Sequence, residues 1–344
     1  MQTRRHNFEN LNSKKFAALL DPAATIVLYD RNLISKVAGF RRFLKTYPHV
    51  FALDAGEKLK SLESFAKTAE RVHSRVGEAV TRKWTVLAIG GGSVGDFAGF
   101  FASVYRRGLR LVHVPTTWLA AIDSSHGGKT ALNLAGAKNQ IGTFYPATDT
   151  VIVRSLLRAL PKQSSDDAMG EILKIALIDG RAWTKFRPFT TSRSRHLWRL
   201  LPSAIDSKLR IVKRDPFERK GYRQILNLGH TFGHVLESRL RLSHGRSVAL
   251  GLLFAVDFSE ATGALTVGAA AEIRDWLERN GVQRNSRLDV VDLKSTARLL
   301  RSDKKRDKGD FVWFVVIRGR GKVERRLVTV AQILSVARHY GWLR

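Results

Sequence analysis

Thr85-Val-Leu-Ala-Ile89 runs directly into Gly90-Gly91-Gly92-Ser93-Val94-Gly95-Asp96. A short run that is apolar at every residue has no face to offer water, so it belongs inside a sheet covered on both sides. The glycines that follow leave backbone N–H groups free at the start of the next helix. Together they constrain the chain to an α/β fold. The pattern recurs: Thr25 to Tyr29 ending in Asp30, Phe51-Ala-Leu-Asp54, Leu111 to Val114 and Thr150 to Val153 read as strands. Glu57 to Arg71 carries helical apolar spacing. The alternation predicts a parallel sheet with helices on both faces over residues 1–160. Beyond Leu160 the texture changes. Ser164 to Ala176, Trp183 to Arg187, Pro202 to Lys213, His230 to Arg239, Val248 to Ala261 and Ala269 to Asn280 read as helices, with little strand character before Phe311 to Ile317. Residues 161–344 are therefore expected to form a mainly helical domain.

The chain has 344 residues, room for two cores, and no cysteine, which excludes disulfides, thiolate metal sites and a cysteine nucleophile. Such usage agrees with a cytoplasmic enzyme. The polar start, Met1 to Lys15, predicts no secretory signal, and the longest apolar run, Val248 to Val256, is too short and glycine-interrupted for a membrane span. A formal net charge of +29 draws anions to any cleft. Its basic residues are scattered, from Arg4 and Arg41 through Lys83 to Arg318 and Arg326, and no nucleic-acid-binding signature accompanies them. The scatter reads as a solvated basic surface in preference to dedicated nucleic-acid binding, so nucleic acid is not the partner expected.

His230 and His234 lie four apart, on one face of a helix, and His244 follows beside a glycine. Imidazoles of this kind need one carboxylate to make a catalytic metal set with an open position. Glu171, three residues before Lys174 in an apolar helix, is a candidate; on spacing alone the two residues equally make a surface ion pair. The triple glycine suits a pyrophosphate or a tight turn, and is read here as something other than the usual G-x-G-x-x-G. Asp30, Glu57 and Lys60 are either surface charges or cofactor contacts. Arg107-Gly108, Pro115-Thr116-Thr117, Asp123 to Thr130 and Lys138-Asn139 bring hydroxyls, glycine amides and lysines into a phosphate-cradle pattern, the alternative being a solvated loop.

Taken in order, Gly90 to Asp96, Tyr105-Arg-Arg-Gly108, Pro115-Thr-Thr117, Asp123-Ser-Ser-His-Gly-Gly-Lys-Thr130, Gly136-Ala-Lys-Asn139, Glu171-Ile-Leu-Lys174, Leu226 to His234, His244-Gly245 and Asp303-Lys-Lys305 resemble 3-dehydroquinate synthases. These are the sugar-phosphate cyclases of the shikimate pathway. The resemblance runs from about Asp30 to about Lys308. It implies an NAD-dependent homodimer with Zn2+ (or Co2+) that turns 3-deoxy-D-arabino-heptulosonate 7-phosphate into 3-dehydroquinate and phosphate. The implied course is transient oxidation, phosphate elimination, re-reduction and intramolecular aldol closure. It also implies Glu171, His230 and His244 as metal ligands. NAD would follow Gly90, Gly91, Gly92 and Ser93, with Asp96, Thr116, Thr117, Asp123, Ser124, Lys129 and Lys138 nearby and Asp30, Glu57 and Lys60 around the adenosine half. Lys129, Lys174, Lys208, Arg223, Asn227 and Lys305 would hold the substrate's carboxylate and hydroxyls. Asn139, His234 and Arg107, the last reaching from the second subunit, would face its phosphate.

Three departures stand out. His126 replaces a small or β-branched residue, Arg246 replaces the glutamate of a His-Gly-Glu, and the stretch from Asp215 to Arg223 is one residue longer than usual. If that glutamate supports His244, its loss would loosen the metal site. Related readings are another sugar-phosphate cyclase with a different heptulose phosphate, against which Asn227 and His234 argue, and a glycerol-dehydrogenase-like enzyme, which needs no phosphate cradle. A third is a non-catalytic, basic anion-binding relative.

Overall fold

The computed structural model describes residues 3–188, 194–284, 292–302 and 310–343. The chain divides into two compact units, Met1–Ser164 and Ser165–Arg344.

The first unit contains β1 (Arg4–Phe8), α1 (Lys14–Ala17), β2 (Thr25–Asp30), α2 (Leu33–Lys36), α3 (Phe40–Leu44), β3 (His49–Leu53), α4 (Leu62–Val76), β4 (Thr85–Gly90), α5 (Gly92–Val104), β5 (Arg110–Pro115), β6 (Lys129–Leu134), β7 (Ala137–Phe144), β8 (Asp149–Val153) and α6 (Arg154–Arg158). Six strands form one parallel sheet in the order β1-β8-β5-β4-β2-β3. Alternation splits each apolar strand between two cores. Ile26, Leu28 and Val86 face Phe97 and Phe101, while Val27, Leu87 and Ile89 face Phe40 and Phe43. The chain adds β3 on one side of β2 and then β4, β5 and β8 on the other. Winding therefore reverses between β2 and β4, where such sheets open a crevice at their carboxyl ends. Tyr29 pairs with Ile89 there, so Asp30 and Gly90 end neighbouring strands.

Three parts of this unit differ from the sequence expectation. The charged segment Arg4–Phe8 is a sheet strand because buried Asp149 collects Arg4 Nε at 2.9 Å, His6 Nε2 at 2.8 Å and Arg110 Nη2 at 2.7 Å. Burial alone would raise the Asp149 pKa, but these donors outweigh it and hold the carboxyl at about 2. The glycine-rich stretch after Asp123 is more than a loop, since β6 and β7 pair as an antiparallel hairpin. The helix read from Glu57 begins as a 3-10 turn, Glu57–Lys60; α4 follows after Ser61, whose Oγ accepts the Ser64 N–H.

His113, on β5, is buried, and burial lowers its pKa from 6.5 to about 4. The fold accepts only the neutral ring, whereas the unfolded chain protonates near 6.5. Stability from this group is thus complete above about pH 6.5 and is lost as pH falls towards 4, by up to about 3 kcal/mol. His113→Leu should flatten the dependence of unfolding free energy on pH across that window, as measured by urea titration at successive pH values.

The second unit holds most of α7 (Lys162–Ile178), then α8 (Gly180–Phe186), α9 (Ser194–Arg214), α10 (His230–Leu240), α11 (His244–Ala261), α12 (Val267–Arg279), α13 (Leu293–Ser302) and α14 (Val330–His339). β9 (Phe311–Gly319) and β10 (Lys322–Thr329) form an antiparallel pair. Every residue of α7 from Ala168 to Ile178 is buried, so this helix runs through the interior. Around it the helices touch main chain to main chain. A Cβ on Gly245 would lie 1.6 Å from Asp167 O, one on Gly251 1.9 Å from Gly229 O, and one on Gly233 2.8 Å from Ser247 O. α7, α10 and α11 are fixed against one another by these contacts. No described helix is long and apolar enough to cross a membrane.

Candidate metal centre and cofactor loop

Glu171 sits mid-way along α7, 1% exposed, with the Lys174 ammonium against Oε2. The surface ion pair that spacing allowed is instead an interior one. His230 opens α10 and His244 opens α11, and both turn Nε2 towards Glu171 Oε1, at 3.5 and 3.6 Å. Bonds of 2.0–2.1 Å to a tetrahedral ion put its ligand atoms about 3.4 Å apart, so the spacing fits. Lys174 takes Glu171 Oε2, which leaves Oε1 facing the two imidazoles.

The ring nitrogens carry the same message. His230 Nδ1 lies 3.2 Å from Leu228 O, and His244 Nδ1 lies 3.2 Å from Glu237 Oε2. Both partners only accept, so Nδ1 carries the proton and the Nε2 lone pair is left for a cation. Burial opposes charge on His244, yet Glu171 and Glu237 raise its pKa to about 9. Burial likewise works against a charged Glu171, while Lys174 and His244 hold it at about 2. This is a nest that asks for positive charge.

Arg246 is exposed in the first turn of α11, and the carboxylate on His244 comes from Glu237 on α10. A carboxylate thus meets His244 Nδ1 with arginine at position 246. The signal for Glu237 in the sequence is its place seven residues after His230, on the same helical face. His234 is exposed, its ring centroid 5.6 Å from that of His230 and 6.4 Å from that of His244. Lys208 on α9 and Arg223 in the 3-10 turn Tyr222–Asn227 are buried, 5% and 3% exposed. Asn227 ends that turn. The extra residue before Arg223 is absorbed by Asp215, whose carboxylate accepts the N–H groups of Lys220 and Arg223 while Glu218 takes a positive φ. Lys305 lies outside the described residues.

In the first unit, Gly90, Gly92 and Gly95 do stand at the first, third and sixth positions of G-x-G-x-x-G, between β4 and α5, which corrects the sequence reading. A Cβ on Gly91 would lie 3.1 Å from Thr117 Cγ2, and one on Gly92 3.3 Å from Ser124 Oγ. A side chain at either would crowd the backbone cradle, which fits a bound pyrophosphate. Thr116 N donates to Gly90 O, and Ser93 Oγ accepts the Gly56 N–H. Asp123 and Ser124 lie in a π-helical turn, Ala120–Ser124, a rare geometry concentrated at functional sites. His126 follows it, buried, with Nε2 3.0 Å from Ala121 O.

Lys60, 4% exposed, donates to Asp96 Oδ2 at 2.7 Å and to Asn139 Oδ1. Asn139 N donates to Asn133 Oδ1, and Asn133 Nδ2 donates to Glu57 Oε2 at 3.0 Å. Five residues of the β6–β7 hairpin and the sheet's carboxyl edge form one network. Asp30 Oδ1 accepts from Asn32 N and Nδ2, capping the turn after β2. Lys129 and Lys138 are exposed on the hairpin, and Arg107 is exposed with φ of 62°.

The chain matches the N-terminal family model of 3-dehydroquinate synthase over residues 50–167 and the C-terminal one over residues 168–306. The 3-dehydroquinate synthase of Pyrobaculum islandicum is 35% identical over 294 residues, covering 83% of this chain and 84% of that one. Among solved structures, 2-deoxy-scyllo-inosose synthase complexed with carbaglucose-6-phosphate, NAD+ and Co2+ superposes with a TM-score of 0.83 at 24% identity, covering 97% and 96% of the two chains. The 2-epi-5-epi-valiolone synthase of Streptomyces hygroscopicus, with NAD+ and Zn2+, gives 0.82 at 22%, covering 99% and 97%. The last two share the fold, and the matched family models together with the Pyrobaculum relative place this chain in the 3-dehydroquinate synthase family.

Proposed function

We propose that this protein converts 3-deoxy-D-arabino-heptulosonate 7-phosphate to 3-dehydroquinate and phosphate. The observation that carries the reading is the convergence of the Nε2 atoms of His230 and His244 on Oε1 of the buried Glu171 carboxylate. Zn2+ or Co2+ held by these three would supply Lewis acidity at a substrate hydroxyl, and NAD over Gly90 to Ser93 would supply a reversible hydride acceptor. We assign the cofactor to the first unit, with Asp30, Glu57, Lys60, Asp96, Thr116, Thr117, Asp123, Ser124, Lys129 and Lys138 around it, and the metal to the second.

The chain's own residues supply charge and position. The Lys174 ammonium lies against the Glu171 carboxylate and, with three N–H donors, has others to offer to substrate oxygens. Lys208, Arg223, Asn227 and Lys129 are assigned to the carboxylate and hydroxyls, Lys305 with them on resemblance alone. His234, Asn139 and Arg107 are assigned to the phosphate. Buried cations held in place before substrate arrives are worth more than solvated ones, because they need no reorganisation as charge develops on the leaving phosphate. A homodimer in the cytoplasm is the setting we infer.

The test is release of inorganic phosphate from the heptulosonate phosphate by protein loaded with Zn2+ or Co2+ and NAD. His230→Ala should lose bound metal and activity together. No release from the loaded wild type, with turnover of another heptulose phosphate instead, would reassign the substrate.

A further inference from the structure

Both metal-facing histidines present Nε2 to Glu171 because Nδ1 meets an acceptor, but the acceptors differ in kind. That of His230 is the main-chain carbonyl of Leu228, whereas that of His244 is the side chain of Glu237. We propose that Glu237 is a positioning residue for the metal: its carboxylate fixes the His244 ring so that the Nε2 lone pair faces the ion, and strengthens that nitrogen as a donor. This rests on the reading above only in requiring an ion at Glu171, His230 and His244.

Placement supports the role. Glu237 follows His230 by seven residues and His234 by three, so all three share one stripe of α10. The contacts of Gly233 with Ser247 and of Gly229 with Gly251, on the neighbouring face, pin α10 against α11, which carries His244. The Glu237 side chain is 26% exposed, sheltered enough for a carboxylate–imidazole bond to exceed a solvated pair. The donor atoms of His234, Glu237 and His244 also lie within 4.8 Å of one another, so a second ion is the rival job for the same carboxylate. A second site needs two ions per chain and orientation needs one, so the ion count separates the two jobs.

Cobalt alone decides between them, through visible absorption and chelator competition on metal-free wild type, Glu237→Gln, Glu237→Ala, His234→Ala and His244→Ala. Wild type should take up one Co2+ per chain, and His244→Ala should lose it. Glu237→Gln should bind about 10-fold more weakly and Glu237→Ala up to about 100-fold, with an altered Co2+ spectrum and wild-type circular dichroism. Saturating Co2+ should restore one ion per chain in both. Wild-type affinity and spectrum in the two Glu237 variants would overturn the proposal while leaving the metal site intact. Two Co2+ per chain in wild type, one of them lost in Glu237→Ala and His234→Ala, would also overturn it. No Co2+ uptake by wild type would overturn the metal site and the proposal together. If Glu237→Ala does not fold, the isosteric Glu237→Gln decides alone.

Discussion

Glu171→Ala should be the most damaging single change at the site, because it removes a ligand and a charge partner at once. Lys174 is 2% exposed, and its ammonium lies against the Glu171 carboxylate. Deleting one member of a buried pair costs about 3–5 kcal/mol, since the other is left without compensation. Metal should be lost as well, and with it Lewis-acid assistance of several kcal/mol, lowering turnover roughly a thousandfold or more. Two measurements separate the parts: urea unfolding for stability and metal content of the folded fraction. His230→Ala provides the contrast, with metal and activity lost and stability little changed. The Glu171→Ala,Lys174→Met double variant should recover most of the stability and none of the activity. If Glu171→Ala unfolds like wild type, the interior ion pair is not a structural element.

Gly245→Ala should be nearly as severe for a different reason. The new methyl would stand 1.6 Å from Asp167 O, and backbone cannot step aside as a flexible side chain can. α11 would have to lift off α7, which carries Glu171, while His244 is the adjacent residue. We expect a loss of about 3 kcal/mol or more, the upper end for overpacking, with weakened Co2+ binding in whatever folds. Gly268→Ala is the control, with nothing within 4 Å of its Cβ position. It should be neutral or stabilise by up to about 1 kcal/mol, by restricting the unfolded chain. Denaturation curves for the pair would show the difference directly.

Much of the fold was legible because its strands announce themselves. β2, β4, β5 and β8 are apolar runs at the lengths buried parallel strands take, and the helices of the second half carry clear periodicity. What escaped depends on partners distant in sequence. β1 reads as polar until Asp149, 145 residues away from Arg4, collects its charges. The β6–β7 hairpin hides behind glycines and lysines that look like loop. The three ligand candidates could be named from resemblance, but spacing alone left Glu171 undecided, because an i,i+3 pair looks the same on a surface and in a core. Burial separates the two cases, and burial is a property of the whole unit. Glu237 was passed over for a similar reason: the histidine it serves lies on another helix. The glycines at the first, third and sixth positions of the loop, Gly90, Gly92 and Gly95, are in plain view, but a fourth, Gly91, stands among them and obscures the spacing.

Helices that meet through bare main chain cannot slide or roll past each other without breaking steric contact along their length. The three donors on α7, α10 and α11 thus behave as one rigid socket, so exchanging one divalent ion for another should leave the scaffold unmoved. New substrate preferences on this frame would have to arise among the loops and surrounding cations, because the socket itself has no slack to give.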